Sequence, residues 1–178
     1  MKYTKKNFVK FNNTLQVKKI KHKYLNRYID MRNLKINIKN SILKKKILEI
    51  DHYIWWFTNK NRVSYLVTKN NKELLVFYYS KFKINNDIFV IPGYFVSANK
   101  ISIFDLLQAI KLQNEIINKL KGKKICIIIV PKNNFFSNAH TKYFGYKKLK
   151  KSEKIIKNLK KKIILKPNSN IYCRIANR

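Results

Sequence analysis

With 178 residues, 41 Lys and Arg against 8 Asp and Glu, and a formal net charge of +33, the chain is strongly cationic and calls for a polyanion: DNA, RNA or an acidic membrane surface. A content of 46% hydrophobic and 13% aromatic residues excludes a disordered basic tail and fits one domain of ordinary size with a long extension. No stretch approaches the roughly 18 apolar residues of a membrane-spanning helix, so no membrane span is expected.

Only 3 Gly and 3 Pro stand beside heavy use of Lys, Asn, Ile, Tyr and Phe, residues with AT-rich codons. This points to an organelle genome and, with it, the mitochondrial matrix. Met1 to Phe8 has no apolar signal core and, with lysines but no arginine, makes a poor transit peptide. Cys126 and Cys173 form no CxxC spacing, so neither a zinc site nor a disulfide framework is indicated.

Residues 1–85 read as a basic N-terminal extension and residues 86–178 as the core. In the extension, Leu15, Val17, Ile20, Tyr24, Leu25 and Tyr28 can share one helical face. Lys18, Lys19, Lys21, Lys23 and Arg27 line the other, where they can meet phosphates or water. Ile42–Ile50 reads as a short helix. Tyr53–Thr58, Ser64–Thr68 and Leu74–Tyr79 are β-branched and aromatic and read as strands, separated by polar turns at Asn59–Asn61 and Lys69–Lys72. Trp55 and Trp56 can stack on bases or pack in the core.

Ser102 is placed as an N-cap with Asp105 completing a capping box. Ile103, Leu106, Leu107, Ile110, Ile117 and Leu120 then recur at helical spacing down to Gly122. Ile125–Val130 is an apolar run ended by Pro131 and reads as a buried central strand. Asn133 to Lys151 is polar and aromatic and reads as a long basic loop. Ser152–Lys162 reads as a short basic helix. Ile163–Leu165 and Ile171–Ile175 read as strands joined by a turn at Pro167-Asn168-Ser169. The whole is α+β.

Enzyme chemistry finds little support at this level. His22, His52 and His140 lie in separate segments, the acids are scattered, and no Gly-rich phosphate loop is present. No paired acids suggest a nuclease metal site, and no catalytic residue, metal or cofactor is expected.

Gly93 to Ile175 resembles a known family, large-subunit ribosomal protein sixteen of bacteria and mitochondria, whose eukaryotic cytosolic counterpart is ten-e. The resemblance rests on Tyr94-Phe95-Val96, Asn99-Lys100-Ile101-Ser102, Gln108-Ala109 in the helix, and Gly122-Lys123-Lys124-Ile125 running to Pro131. It continues through Tyr143-Phe144-Gly145-Tyr146-Lys147-Lys148 and the pair Ile163–Asn168 and Ile171–Arg174. The family's loop arginine falls on Tyr143, two loop glycines are lost, and its C-terminal helix is missing.

The resemblance implies a hammerhead-like sheet with two packed helices, a long basic loop and a basic N-terminal extension. It also implies a non-enzymatic constituent of the mitochondrial large ribosomal subunit. The partners would be large-subunit rRNA, transient tRNA and neighbouring mitoribosomal proteins, near the aminoacyl-tRNA accommodation site and the peptidyl-transferase region. The implied rRNA and tRNA contacts are Lys123, Lys142, Tyr143, Tyr146, Lys147, Lys148, Lys150 and Lys151, with Lys18, Lys19, Lys21, Lys23 and Arg27 meeting phosphates in the extension. The alternatives are a different organellar ribosomal protein, a basic accessory subunit of a respiratory complex, or a remnant intron-encoded nuclease.

Overall fold

The computed structural model of the protein describes residues 8–11, 15–84, 86–97, 100–150, 153–160, 163, 165 and 168–176. Their chain order is β1 (Phe8–Phe11), β2 (Leu15–Lys19), α1 (Leu25–Arg32), α2 (Lys35–Asn40), α3 (Glu49–Thr58), β3 (Arg62–Lys69), β4 (Lys72–Ile84) and β5 (Asp87–Val96). Then follow α4 (Ile103–Asn118), β6 (Lys124–Pro131), α5 (Phe135–Tyr143), β7 (Lys147–Lys148), α6 (Lys154–Lys160) and β8 (Ser169–Ala176). All eight strands form one sheet in the order β1-β2-β3-β4-β5-β6-β8-β7. Every neighbouring pair is antiparallel except β5 and β6.

Local chemistry explains the central elements. β3 and β4 are joined by Asn70-Asn71, both with positive φ (48° and 61°), the handedness that matches a two-residue hairpin to the twist of its strands. α4 begins where Ser102 Oγ accepts from Asp105 N at 3.0 Å and donates to Asp105 Oδ2 at 2.8 Å. As the crossover between parallel strands, α4 lies on the face of the sheet that carries Leu75, Phe77, Tyr94 and Val96. The opposite face carries Leu66, Val76 and Phe95 and is covered by Tyr28 and Met31 of α1, with Trp56 of α3 beside them. Leu159 of α6 packs on that same face against Phe89, Ile125 and Ile127. Lys124 is fully buried, and its Nζ donates to Leu120 O and to Asn118 O (3.3 Å) at the end of α4, where orphan carbonyls and the helix dipole favour a cation.

The sheet overturns the hammerhead with two packed helices and a basic extension, because β2, β3 and β4 are sheet members that bury Leu15, Val17, Val67 and Leu75. Leu15 and Val17 alternate with exposed Gln16 and Lys18 in a strand, so the helix read through residues 15–28 begins only at Leu25. Tyr53–Thr58 is helix, not strand: His52 is buried within α3 and acids Glu49 and Asp51 sit in its first turn. Residues 41–48 are irregular rather than helical. The long loop contains α5, whose Asn134 side chain accepts from Ser137 N. The hairpin at 69–72, the capped helix, the strand ending at Pro131 and α6 lie where the spacing placed them. Pro167, in the turn read before β8, lies outside the described residues.

Candidate active site

β5 and β6 pair over three residues, Ile88–Val90 with Lys124–Cys126, and then part. Beyond that point the strand partner of Ile91–Val96 is β4 alone and that of Ile127–Pro131 is β8 alone, while Asn37 takes up Val96 N (3.0 Å) and Val96 O (2.7 Å). Two strand edges therefore face each other with backbone N–H and C=O groups that no strand partner takes up. A cavity of about 1060 Å³ occupies the gap and reaches both faces of the sheet. Gln113 of α4 braces one lip, its Nε2 donating to Tyr78 O (2.8 Å) and Gly93 O (2.9 Å).

On the α4 face, α5 closes one wall. Tyr94 Oη and Ser137 Oγ share a hydrogen bond at 3.4 Å, and Thr141 Oγ1 donates to Ser137 O at 2.6 Å. Burial raises the Tyr94 phenol above its ordinary value, which keeps it protonated. His140 is 7% exposed, and burial lowers its pKa to about 4. Its Nδ1 lies 3.0 Å from Phe136 O, so the neutral ring carries its proton there and leaves Nε2 as an acceptor. Behind this wall Tyr146 donates to Asn114 Oδ1 at 3.2 Å, an oxygen that also takes Arg174 Nη2 at 3.0 Å.

The start of α4 borders the cavity through Ile101 and Leu106. The pKa of Asp105, in its first turn, is lowered by the Lys69 ammonium, whose Nζ lies 2.9 Å from Oδ1, and by Ser102. No glycine occurs between Gly93 and Gly122.

On the opposite face the cavity is bounded by the end of α1, by α3 and by the start of β3. Arg32, His52 and Arg62 line this arm together with Tyr28, Trp55 and Tyr78.

Of the residues around this cavity the sequence reading names only Tyr146 as a site residue, and that as a nucleic-acid contact; Tyr94, Ser102 and the three histidines enter it in other roles. Of the residues it did name, Tyr146 is buried in the core, whereas Tyr143, Lys123, Lys142, Lys147, Lys148 and Lys150 are exposed. Lys151 lies outside the described residues. Lys18 and Lys19 sit on β2, exposed Lys21 and Lys23 flank the turn before α1, and Arg27 pairs with Glu73 at 2.8 Å. β2 and β7 belong to opposite ends of the sheet, so these two basic groups do not gather into one patch.

No protein-family model and no curated protein matches the sequence. Among solved structures, the chain is similar to the GNAT domain of S. lividans PAT, with a TM-score of 0.68 at 9% identity over 98% of this chain and 99% of that one. It is similar to an acetyltransferase that modifies the N-terminal serine of a 50S ribosomal subunit protein from Salmonella typhimurium (TM-score 0.65, 14% identity, 95% of this chain and 99% of that one). It is similar also to the microcin C7 self-immunity acetyltransferase MccE, solved with acetyl-CoA and AMP (TM-score 0.61, 19% identity, 92% and 93%). The fold is therefore that of GNAT acetyltransferases.

This finding overturns the resemblance to ribosomal protein sixteen and the role drawn from it. The shared stretch of capped helix followed by buried strand is a generic crossover, and it sits here in a different sheet. The non-enzymatic reading and the partnership with rRNA, tRNA and mitoribosomal proteins fall with it, since the neighbours of this fold are acetyltransferases.

Proposed function

We propose that this protein transfers an acyl group from an acyl-coenzyme A thioester to an amine. The observation that carries the reading is the parting of β5 and β6 into a cavity that crosses the sheet. The acetyl-CoA complex named for a structure of the same fold supports it.

The residues present fit the coenzyme. An extended, amide-containing arm can bond the free edge of β5 around Tyr94, between Pro92, which has no N–H, and Val96, which Asn37 already holds, with Ile91, Ile128 and Val130 against its methylenes. The N-terminus of α4 favours the diphosphate through its N–H groups and dipole. The exposed cation Lys100, just before that helix, adds positive charge for the diphosphate.

Bound there, the coenzyme would supply an activated acyl carbon: the acceptor nitrogen bonds to it and loses a proton, the carbon–sulfur bond breaks, and the sulfur leaves with one proton. Environment divides the proton work among this chain's side chains. Tyr94 and Ser137 keep their protons and can donate from Oη or Oγ, and neutral His140 can accept at Nε2. The apolar walls exclude water that would compete with the amine.

The test is calorimetric titration with acetyl-CoA, followed by release of free thiol across a panel of amines. Binding with a Kd in the range of roughly 1 μM to 1 mM and amine-dependent thiol release are expected. Absence of acetyl-CoA binding would overturn the reading. Cys126 and Cys173 are buried, and burial raises both thiols, Cys173 to about 11, so the folded protein adds little background to the thiol assay.

A further inference from the structure

Three buried nitrogens in the cavity arm opposite α4 have no hydrogen-bond partner among the described residues: Arg32 Nη1, His52 Nε2 and Arg62 Nε. They come from the last residue of α1, the interior of α3 and the first residue of β3. A buried donor left unmade costs far more than a made bond returns, and most of all when it carries charge. The chain supplies a counter-ion elsewhere, since exposed Arg27 pairs with Glu73 at 2.8 Å. Among the described residues it supplies none in the cavity: Asp51, the only acid among those lining it, forms no ion pair with either guanidinium.

The arm is also stiffly built. The Arg62 guanidinium carbon lies 3.6 Å from the Tyr78 ring centroid and 4.9 Å from that of Trp55. Stacking on ring faces fixes the guanidinium plane and leaves its N–H edge free for an oxyanion. His52 stacks on Tyr28 at 5.1 Å and on Trp55 at 5.7 Å. Burial, then Arg62, lowers its pKa, so it adds a neutral polar atom and no competing charge.

We propose that this arm is the acceptor pocket, and that it takes a small amine bearing a carboxylate or phosphate, whose oxygens bind Arg32 and Arg62. The proposal rests on the acyltransferase reading, because an acceptor must enter the gap from the face that α4 does not cover. The oxyanion belongs here rather than to the coenzyme, whose diphosphate is served by the α4 N-terminus on the other face.

The decisive experiment measures acetyl transfer to two matched pairs, β-alanine against propylamine and O-phosphoethanolamine against ethanolamine, at constant ionic strength. At least one charged member is expected to show a KM lower by about tenfold or more than its neutral twin, and the pair that responds tells carboxylate from phosphate. Arg62→Met and Arg32→Met should each erase most of that preference, and Arg62→Lys should retain part of it. Each Arg→Met removes one of 41 cations and so barely alters non-specific attraction.

On the same proteins, acetate and inorganic phosphate are titrated while tryptophan fluorescence is followed, Trp55 being a wall of the arm. Acetyl-CoA is titrated by calorimetry. Should an Arg→Met variant misfold, the matched amines on the unaltered protein still decide. Acetyl-CoA binding with charged and neutral amines used equally would overturn the oxyanion pocket alone. Loss of acetate and phosphate binding in Arg62→Met, in a protein that never binds acetyl-CoA, would support the pocket while removing the acyltransferase reading. Acetate and phosphate bound equally by all variants would overturn the pocket.

Discussion

The Tyr78 ring lies across Gly93 of the neighbouring strand, so a methyl group at that glycine would come within 2.8 Å of Tyr78 Cε2. The same ring carries the Arg62 guanidinium. Gly93→Ala must displace the phenol or spread the strands, costing about 1–3 kcal/mol. Chemical denaturation should register that loss. Oxyanion binding should weaken as well, since the platform under Arg62 moves. A variant of unaltered stability and affinity would show that the ring yields freely.

His140 gives a pH signature. Its folded pKa of about 4 lies below the ordinary 6.5, so the unfolded chain binds the proton more readily. The contribution is complete above pH 6.5, is lost as pH falls from 6.5 toward 4, and levels below that. It amounts to at most about 3 kcal/mol. His52, also lowered by burial, adds to the same slope. Urea midpoints measured between pH 7.5 and 4.5 should fall less in His140→Gln than in the unaltered protein.

Tyr94→Phe and Ser137→Ala separate proton donation from binding. Either should lower kcat by about 10²-fold while the acetyl-CoA Kd changes little. If Oη and Oγ act through their shared hydrogen bond, the double variant should be scarcely worse than the poorer single one. Additive losses would assign them separate tasks.

Ser102→Ala removes the cap of α4 and should cost about 1 kcal/mol in thermal or denaturant unfolding. Because that helix start borders the cavity, acetyl-CoA affinity should fall in parallel. Ser102→Thr, which keeps a hydroxyl able to accept from Asp105 N and donate to Asp105 Oδ2, should restore both.

What was legible in the sequence was local. Asn70-Asn71, the Ser102–Asp105 box and the apolar run into Pro131 fix their elements through neighbours a few residues away. α3 was misread because Tyr53, Ile54, Trp55, Trp56 and Phe57 favour strands by propensity, whereas His52 and Trp56 face the core at helical spacing. Asn134 to Ser137 is a cap spacing that could have exposed α5. The site itself was not legible. It exists because two strands stop pairing after Val90 and Cys126, and because Arg32, His52 and Arg62, well separated in the chain, meet across three elements. Net charge pointed to a polyanion, but most of that charge is solvated lysine, and the informative cations are half-buried Arg32 and Arg62, each with one buried, unpartnered nitrogen.

Lys124 begins the three-residue pairing that ends at Cys126, where β6 parts from β5. It pairs with Ile88 where the strands still touch, and its ammonium is clasped by the last carbonyls of α4. From Cys126 to Pro131 the free arm runs about 17 Å at roughly 3.3 Å per residue. A rotation of a few degrees at Cys126 therefore becomes a shift on the order of 1 Å at the mouth. Lys124, buried and bonded to the end of α4, thus ties the hinge of the opening to the helix whose other end borders it.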